Sequence, residues 1–274
     1  MASVLILSSH VAASRVGGGA QALALARLGI EPILAPTVLF GRHPGYGAPG
    51  GAIVDPALFA SVLEGVAARG AFAGLGAVIA GYIPRPEHAA VAARALRRVR
   101  AASPGALFVV DPIMGDADKG LYVSEAAAEA IAGELVPLAD LVTPNAWELE
   151  RLSGRSARSP GDAVAAARAL GRPVLVSSVA FPGGIGAVHV DADAAWGAAH
   201  PERPQAPRGA GDLLTALFTA ARVEGAPARE ALAVAVDHVA AAIDAVEGMD
   251  ELPLRLFPTS LRSGGSVSLE RIDG

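Results

Sequence analysis

The tetrad Gly209-Ala210-Gly211-Asp212 runs straight into the apolar series Leu213, Leu214, Leu217 and Phe218. Glycines at the start of a helix let a ligand come close to the backbone. The unpaired N–H groups there, together with the helix dipole, favour an anion. A carboxylate beside such a cradle can take the proton of an attacking hydroxyl while the amides hold the charge growing on a phosphoryl group. Asp212 also suits a plain helix N-cap, a reading that leaves both glycines around Ala210 unexplained.

A second group, Asp111-Pro112-Ile113-Met114-Gly115-Asp116, follows the apolar run 107–110. Carboxylates at the carboxyl end of a parallel strand sit where open α/β sheets bind ligands, and hard oxygens with room for water suit Mg²⁺ on a phosphate. The same residues also make a turn, opened by Asp-Pro and closed by Gly-Asp. Asp116-Ala117-Asp118 is no calcium loop, because the later glycine and the distal glutamate fall at the wrong positions. A third group is Thr143-Pro144-Asn145-Ala146-Trp147-Glu148. There Pro144 is expected to start a helix that carries Asn145 and Glu148 on one face, toward a metal-water shell or a phosphate. A helix start with Glu148 near the positive dipole end explains these residues equally well.

The elements that must position these groups follow from hydrophobic periodicity. Short apolar runs at 4–7, 33–38, 75–80, 107–110, 141–142 and 174–176 read as strands. Helices are expected near 20–28, 56–69, 86–102, 125–135, 162–170, 212–222 and 228–246. In the segment 86–102, Val91, Ala95, Leu96 and Val99 share a face that Arg94, Arg97, Arg98 and Arg100 avoid. Strand and helix in alternation predict a three-layer α/β/α fold, with a mostly parallel sheet covered on both sides. The segment 183–196 reads as a late antiparallel hairpin, with strands 185–190 and 194–198 turned by 191–193. Residues 41–51, rich in Gly and Pro, interrupt the rhythm as a loop or pocket wall. One domain is expected over 1–262, followed by a flexible tail at 263–274.

Composition narrows the functional classes. Hydrophobic residues make up 52% of the 274 and charged ones 18%, in a periodic arrangement that belongs to a globular chain. There is no cysteine, which removes disulfides, thiolate-bound zinc and thiol catalysis. A net charge of -5 with scattered arginines argues against a nucleic-acid surface. No apolar run reaches the roughly 20 residues of a membrane span, and the first residues read as a strand with no signal sequence, so a cytoplasmic location is expected. The chain carries no Gly-x₄-Gly-Lys-Ser/Thr loop, no strand-linked Gly-x-Gly-x-x-Gly and no Gly-x-Ser-x-Gly elbow. Its six histidines show no His-x₃-His spacing.

Taken together and in order, these segments resemble the pyridoxal kinase branch of the ribokinase superfamily. The resemblance covers nearly the whole chain. It rests on Ser8-Ser9-His10-Val11, Thr37-Val38-Leu39-Phe40, His43-Pro44-Gly45-Tyr46-Gly47, Gly81-Tyr82, Gly120-Leu121-Tyr122-Val123 and the three groups above. It implies an ATP-dependent kinase acting on the hydroxyl of pyridoxal, with Mg²⁺ and, as a further possible cofactor, a monovalent cation. By the resemblance, Ser9, His43, Tyr82 and Asp212 meet the acceptor, while Asp111, Asp116 and Glu148 serve the metal and the phosphates. Tyr122, Thr143, Asn145 and Ser177 meet the nucleotide, Gly209, Ala210 and Gly211 form the anion hole, and Asp212 is the base.

The chain departs from the usual pattern at Pro44 (ordinarily Thr), at Pro49 (Trp), at Gly18 (Asn) and at Ala210 (Thr). Two further readings therefore stand beside pyridoxal. One is a kinase of hydroxymethylpyrimidine or another small alcohol; the other is a non-catalytic vitamin- or nucleotide-binding protein of the same fold. The resemblance and the abundance of apolar residues also imply a homodimer.

Overall fold

The computed structural model describes every residue except Met1, Pro204, Gln205, Glu247, Ser263, Ser266 and Gly274. In chain order its elements are β1 (Ser3–Val11), α1 (Gly17–Arg27), β2 (Glu31–Phe40), β3 (Gly51–Ile53), α2 (Pro56–Ala68), β4 (Leu75–Ala80), α3 (Pro86–Ala102) and β5 (Leu107–Val110). Then come β6 (Gly115–Asp116), β7 (Gly120–Leu121), α4 (Glu125–Ala130), β8 (Leu141–Val142), α5 (Ala146–Ser153), α6 (Pro160–Leu170), β9 (Val174–Phe181), β10 (Gly184–Val190), β11 (Ala195–His200), α7 (Ala210–Val223), α8 (Ala228–Asp244) and β12 (Leu269–Arg271).

One sheet runs through the molecule in the order β12-β11-β10-β9-β8-β5-β4-β1-β2-β3. Its six central strands, from β9 to β2, are parallel. The strand β3 pairs antiparallel with β2, and the late hairpin β10–β11 adds antiparallel strands at the other side. Alternation along β1 divides the core between two layers. Val4 and Ile6 pack with Ala20, Leu213 and Leu217 of α1 and α7, whereas Leu5 and Leu7 pack with Phe59, Leu63 and Leu96 of α2 and α3. A third apolar cluster seats Leu149 of α5 and Val164 of α6 on Val174 and Val176 of β9.

The helix α3 shows why such sequences form crossovers. Pro86 stands in its first turn with Glu87, Arg100 in its last, and Val91, Ala95, Leu96 and Val99 are buried. Arg94, Arg97 and Arg98 are exposed, and Arg100 turns back to Asp140 at 2.6 Å over the Phe108 ring.

Several expectations are corrected by pairing that is invisible locally. The strand β9 continues past residue 176 to Phe181, because β10 pairs along it across an irregular register. The loop 41–51 contains a short helical turn at Pro44–Tyr46, and its end is captured by β2 as β3. The segment expected as a flexible tail contributes β12, an edge strand antiparallel to β11. Ser263, Ser266 and Gly274 of that segment lie outside the described residues.

The chain leaves β1 through α1 to β2 on one side, then returns through α2, on the opposite face, to β4 on the other side of β1. The crevice beyond the carboxyl ends of β1 and β4 is thus a topological switch point. Tyr82, Asp111 and Thr143 stand just past the carboxyl ends of β4, β5 and β8, Ser8 and Ser9 lie in the carboxyl-terminal half of β1, and Ser177 lies within β9, bridged in parallel to Asn145.

Candidate active site

At the N-terminus of α7 the cap residue is Gly209, with φ 91° and ψ -4°, and no side chain caps the helix. A Cβ there would stand 2.3 Å from the Arg15 carbonyl oxygen, so glycine is demanded by both dihedral and space. Asp212 is the third helical residue, and its alternative reading as the N-cap falls away. Its carboxyl is pushed up to about 6, chiefly because protein atoms displace water around it, and a hydrogen bond from the Gly17 amide pulls the other way. Gly17 is left-handed at φ 57°, and a side chain on it would collide with the Ser9 hydroxyl. Gly18 is equally confined, since a Cβ would meet Leu34 at 2.7 Å and the Ser9 carbonyl at 2.9 Å. The Gly at this departure from the usual Asn is therefore a packing requirement here.

Asp111 is buried just beyond β5. Burial raises its carboxyl well above the usual range, and the charges of Asp212 and Glu148 raise it further. These three carboxylates accordingly share one locality. The Thr215 hydroxyl on α7 lies 3.1 Å from that of Thr143 beyond β8, tying the second turn of α7 to the sheet beside Asp111. Between Asp111 and β6, Ile113 is held at φ 39°, a strained setting for a β-branched residue. The following amides explain how it is held: Met114 N and Gly115 N donate to Glu148 Oε1 at 2.7 and 3.3 Å.

Glu148 also accepts from Asn145 N at 2.9 Å, while Asn145 Oδ1 accepts from Glu148 N at 2.9 Å. This is a capping box with Asn145 as the N-cap, so α5 starts at Ala146 and Pro144 lies one residue outside it. Asn145 Nδ2 donates to Gly115 O at 2.8 Å, joining α5 to the β6–β7 turn. Burial pushes Glu148 up to about 7 despite these three amide donors. Asp116 closes the turn, accepting from the amides of Asp118 and Lys119 at 3.0 and 2.7 Å and from the Tyr122 hydroxyl.

Among the described residues no three His, Asp or Glu side chains stand close enough to hold a metal alone. The donors do fit a Mg²⁺ that is carried largely by phosphate oxygens and water. Asp111 and Glu148 are buried like charges that a cation would relieve, and the Glu148 oxygens, already taking amides, suit contact through water.

A cleft of about 270 Å³ opens from the α7 N-terminus, lined by Ser177, Ile185, Gly211, Leu214, Val236 and Val239. Its apolar walls on α8 and β10 were not singled out from the sequence, because Val236 and Val239 have the same spacing as core residues. A larger hollow, about 640 Å³, lies by Arg15, Tyr46 and Glu251, and none of the expected site residues lines it.

Near the carboxyl ends of β1 and β4, Ser9 is buried and Tyr82 half-buried; the Tyr82 amide donates to Ser8 Oγ at 3.0 Å and its carbonyl accepts from Thr37 at 2.7 Å. His43 accepts from Gly45 N at 3.0 Å through Nδ1, and burial with the nearby Arg208 charge lowers its pKa. Arg208, also unmarked by sequence pattern, precedes the cap Gly209; its guanidinium lies 4.7 Å from the Tyr46 ring centre and 3.7 Å from Asp250. It thereby joins the 41–51 segment to the strand of chain that opens the helix.

The phosphomethylpyrimidine kinase family model matches residues 54–252. A pyridoxal kinase PdxY of Deinococcus radiodurans is 34% identical, over 93% of this chain and 95% of its own length. A pyridoxine/pyridoxal/pyridoxamine kinase of Bordetella avium is 36% identical, over 93% and 89%. The solved pyridoxal kinase of Leishmania donovani in complex with ADP and pyridoxine is 25% identical, with 99% of each chain covered and a TM-score of 0.91.

Proposed function

The chain belongs to the phosphomethylpyrimidine kinase family, and from that premise we propose that it is a pyridoxal kinase, moving the γ-phosphoryl of ATP to the 5′-hydroxyl of pyridoxal. The observation that carries this reading is Asp212, a carboxylate with its pKa near 6, in the first turn of a helix that opens with uncapped amides at Gly209 to Gly211.

In this mechanism Asp212 accepts the proton of the acceptor hydroxyl as its oxygen bonds to the γ-phosphorus and the bond to the ADP oxygen breaks. The amides of Ala210 and Gly211 face the charge that spreads over the transferring oxygens. Asp111, Glu148 and Asp116 would hold the metal and its waters against the phosphates. When bound there, Mg²⁺ would offset the negative charge of the phosphates. Ser177, Asn145 and Thr143 border the nucleotide, with Tyr122 at the outer rim, and Ser9, His43 and Tyr82 border the acceptor. The 41–51 segment shields the reacting atoms from water.

Purified protein with Mg-ATP should release ADP on addition of pyridoxal. Pro44, in the acceptor-side loop, keeps a hydroxymethylpyrimidine as the second candidate, so both alcohols belong in the panel. ADP release with the pyrimidine alone would move the assignment to that acceptor, and none with any alcohol would leave a binding protein. Homodimerisation is part of the proposal, supported by exposed Leu39 and Leu58 on the neighbouring elements β2 and α2. Sedimentation as a monomer at micromolar concentration would remove it.

A further inference from the structure

The helix α1 buries, beside Ala20, Ala24 and Leu25, one residue that packing alone does not call for. Gln21 is 0% exposed. Its Nε2 donates to Asp111 Oδ2 at 3.3 Å, and its Oε1 has no partner among the described residues. A buried amide with one end unsatisfied is destabilising, a penalty an apolar side chain of equal length would avoid. One turn earlier on the same helix, the Gly17 amide hydrogen-bonds the Asp212 carboxylate. The first turns of α1 therefore touch two of the three acidic groups of the site, Asp212 through the backbone and Asp111 through a side chain.

We propose that Gln21 is a positioning residue, which fixes the Asp111 carboxylate in the orientation that receives the metal–nucleotide complex. This rests on the kinase reading above, in which Asp111 serves Mg²⁺ and the phosphates. The Asp111 carboxylate is crowded by like charges from Asp212 and Glu148, so without a directional donor its lowest-energy orientation would be set by repulsion. Gln21 supplies that donor without adding charge, and a carboxylate held at one oxygen presents the other in a fixed direction.

The test is calorimetric titration of ADP into the full chain, across a series of Mg²⁺ concentrations and in excess chelator. The substitution Gln21→Met keeps the length and volume without the donor, and Gln21→Ala serves as a second variant. Both should need about tenfold more Mg²⁺ for the same gain in ADP affinity, the usual scale for a partner of a metal-binding carboxylate. Affinity in chelator should stay at the parent value, and thermal unfolding without ligand should show the variants folded. A residue that only fills space or satisfies a buried charge would leave the Mg²⁺ dependence unmoved, so coincident curves for parent and Gln21→Met overturn the proposal. A parent chain whose ADP binding ignores Mg²⁺ overturns it too. Failure of the parent to phosphorylate pyridoxal, with a shifted Mg²⁺ curve in Gln21→Met, would instead dismiss the acceptor and leave Gln21 in its role.

Discussion

As the proposed base, Asp212 has to combine two demands that usually conflict, because a base must lose its proton at working pH yet hold the incoming one firmly. A pKa near 6 meets both: above pH 7 the group is mostly ionised, and it is still about a hundredfold more basic than an ordinary aspartate. Asp212→Asn should therefore lower turnover by roughly 10²- to 10⁴-fold while ADP affinity, measured by calorimetry, changes little. In the parent, kcat/KM for the acceptor should rise with pH and level off above about 6, since only the ionised form accepts a proton. A profile flat from pH 5 to 8 would remove Asp212 from the role. A second residue-scale test concerns Pro44, which opens the helical turn beside His43 and brings no hydroxyl. If the Thr usual there hydrogen-bonds the pyridoxal ring, Pro44→Thr should lower KM for pyridoxal by roughly fivefold, the worth of about 1 kcal/mol, with KM for ATP unmoved.

Among the elements, those bounded by Gly or Pro and filled with apolar residues were legible from the sequence to the residue: 75–80, 86–102, 107–110 and 141–142 coincide with β4, α3, β5 and β8. The order of the three chemical groups was equally legible, because each follows a strand or opens a helix. Pieces defined by partners far away in sequence were not. The strands β3 and β12 exist only because β2 and β11 pair with them, and β6 and β7, each opening on Gly, lack the apolar pair that marks β8. Gln21 reads as one polar residue on an amphipathic helix until Asp111, ninety positions away, is seen beside it. Arg208 is a similar case. It sits in a short parallel bridge to Glu251, its amide donating to Asp250 O at 2.8 Å, and from there it reaches the Tyr46 ring. Loops 41–51 and 248–254 thus meet at one guanidinium. Arg208→Ala should loosen the acceptor-side loop and raise KM for pyridoxal by roughly fivefold, since a partly exposed cation–π contact is worth about 1 kcal/mol, with KM for ATP little changed. Equal changes in both constants would place the effect in the anion hole instead.

At the scale of the whole molecule the cleft is a local debt carried by a well-packed fold. Asp212 and Glu148 titrate near 6 and 7, and Asp111 is raised as well, so the folded protein binds these protons more tightly than the unfolded chain does. The sign follows from linkage: where the native state holds more protons, stability falls as pH rises, here across about pH 4 to 7. Buried histidines oppose this. His189, stacked on Phe218 and pushed down to about 4, and His88, lowered by burial, are held neutral, so they make stability fall as pH drops through their unfolded range near 6.5. The two sets partly cancel between pH 4 and 6.5, and the overall profile cannot single out the cleft. The difference between Asp212→Asn and the parent can, because every other group is common to both. Replacing the carboxylate with a neutral amide should stabilise the ligand-free protein by about 2 kcal/mol at pH 8, allowing for the water that reaches a partly exposed group. The gain should shrink as pH falls from about 6 and be gone only below about pH 3, where the parent is itself protonated in both states. Urea unfolding of both proteins at pH 4.5, 6 and 8 measures this directly. An amide variant less stable than the parent at pH 8 would mean that the Gly17 donor outweighs desolvation, and that Asp212 is held in place by the fold at no cost to it.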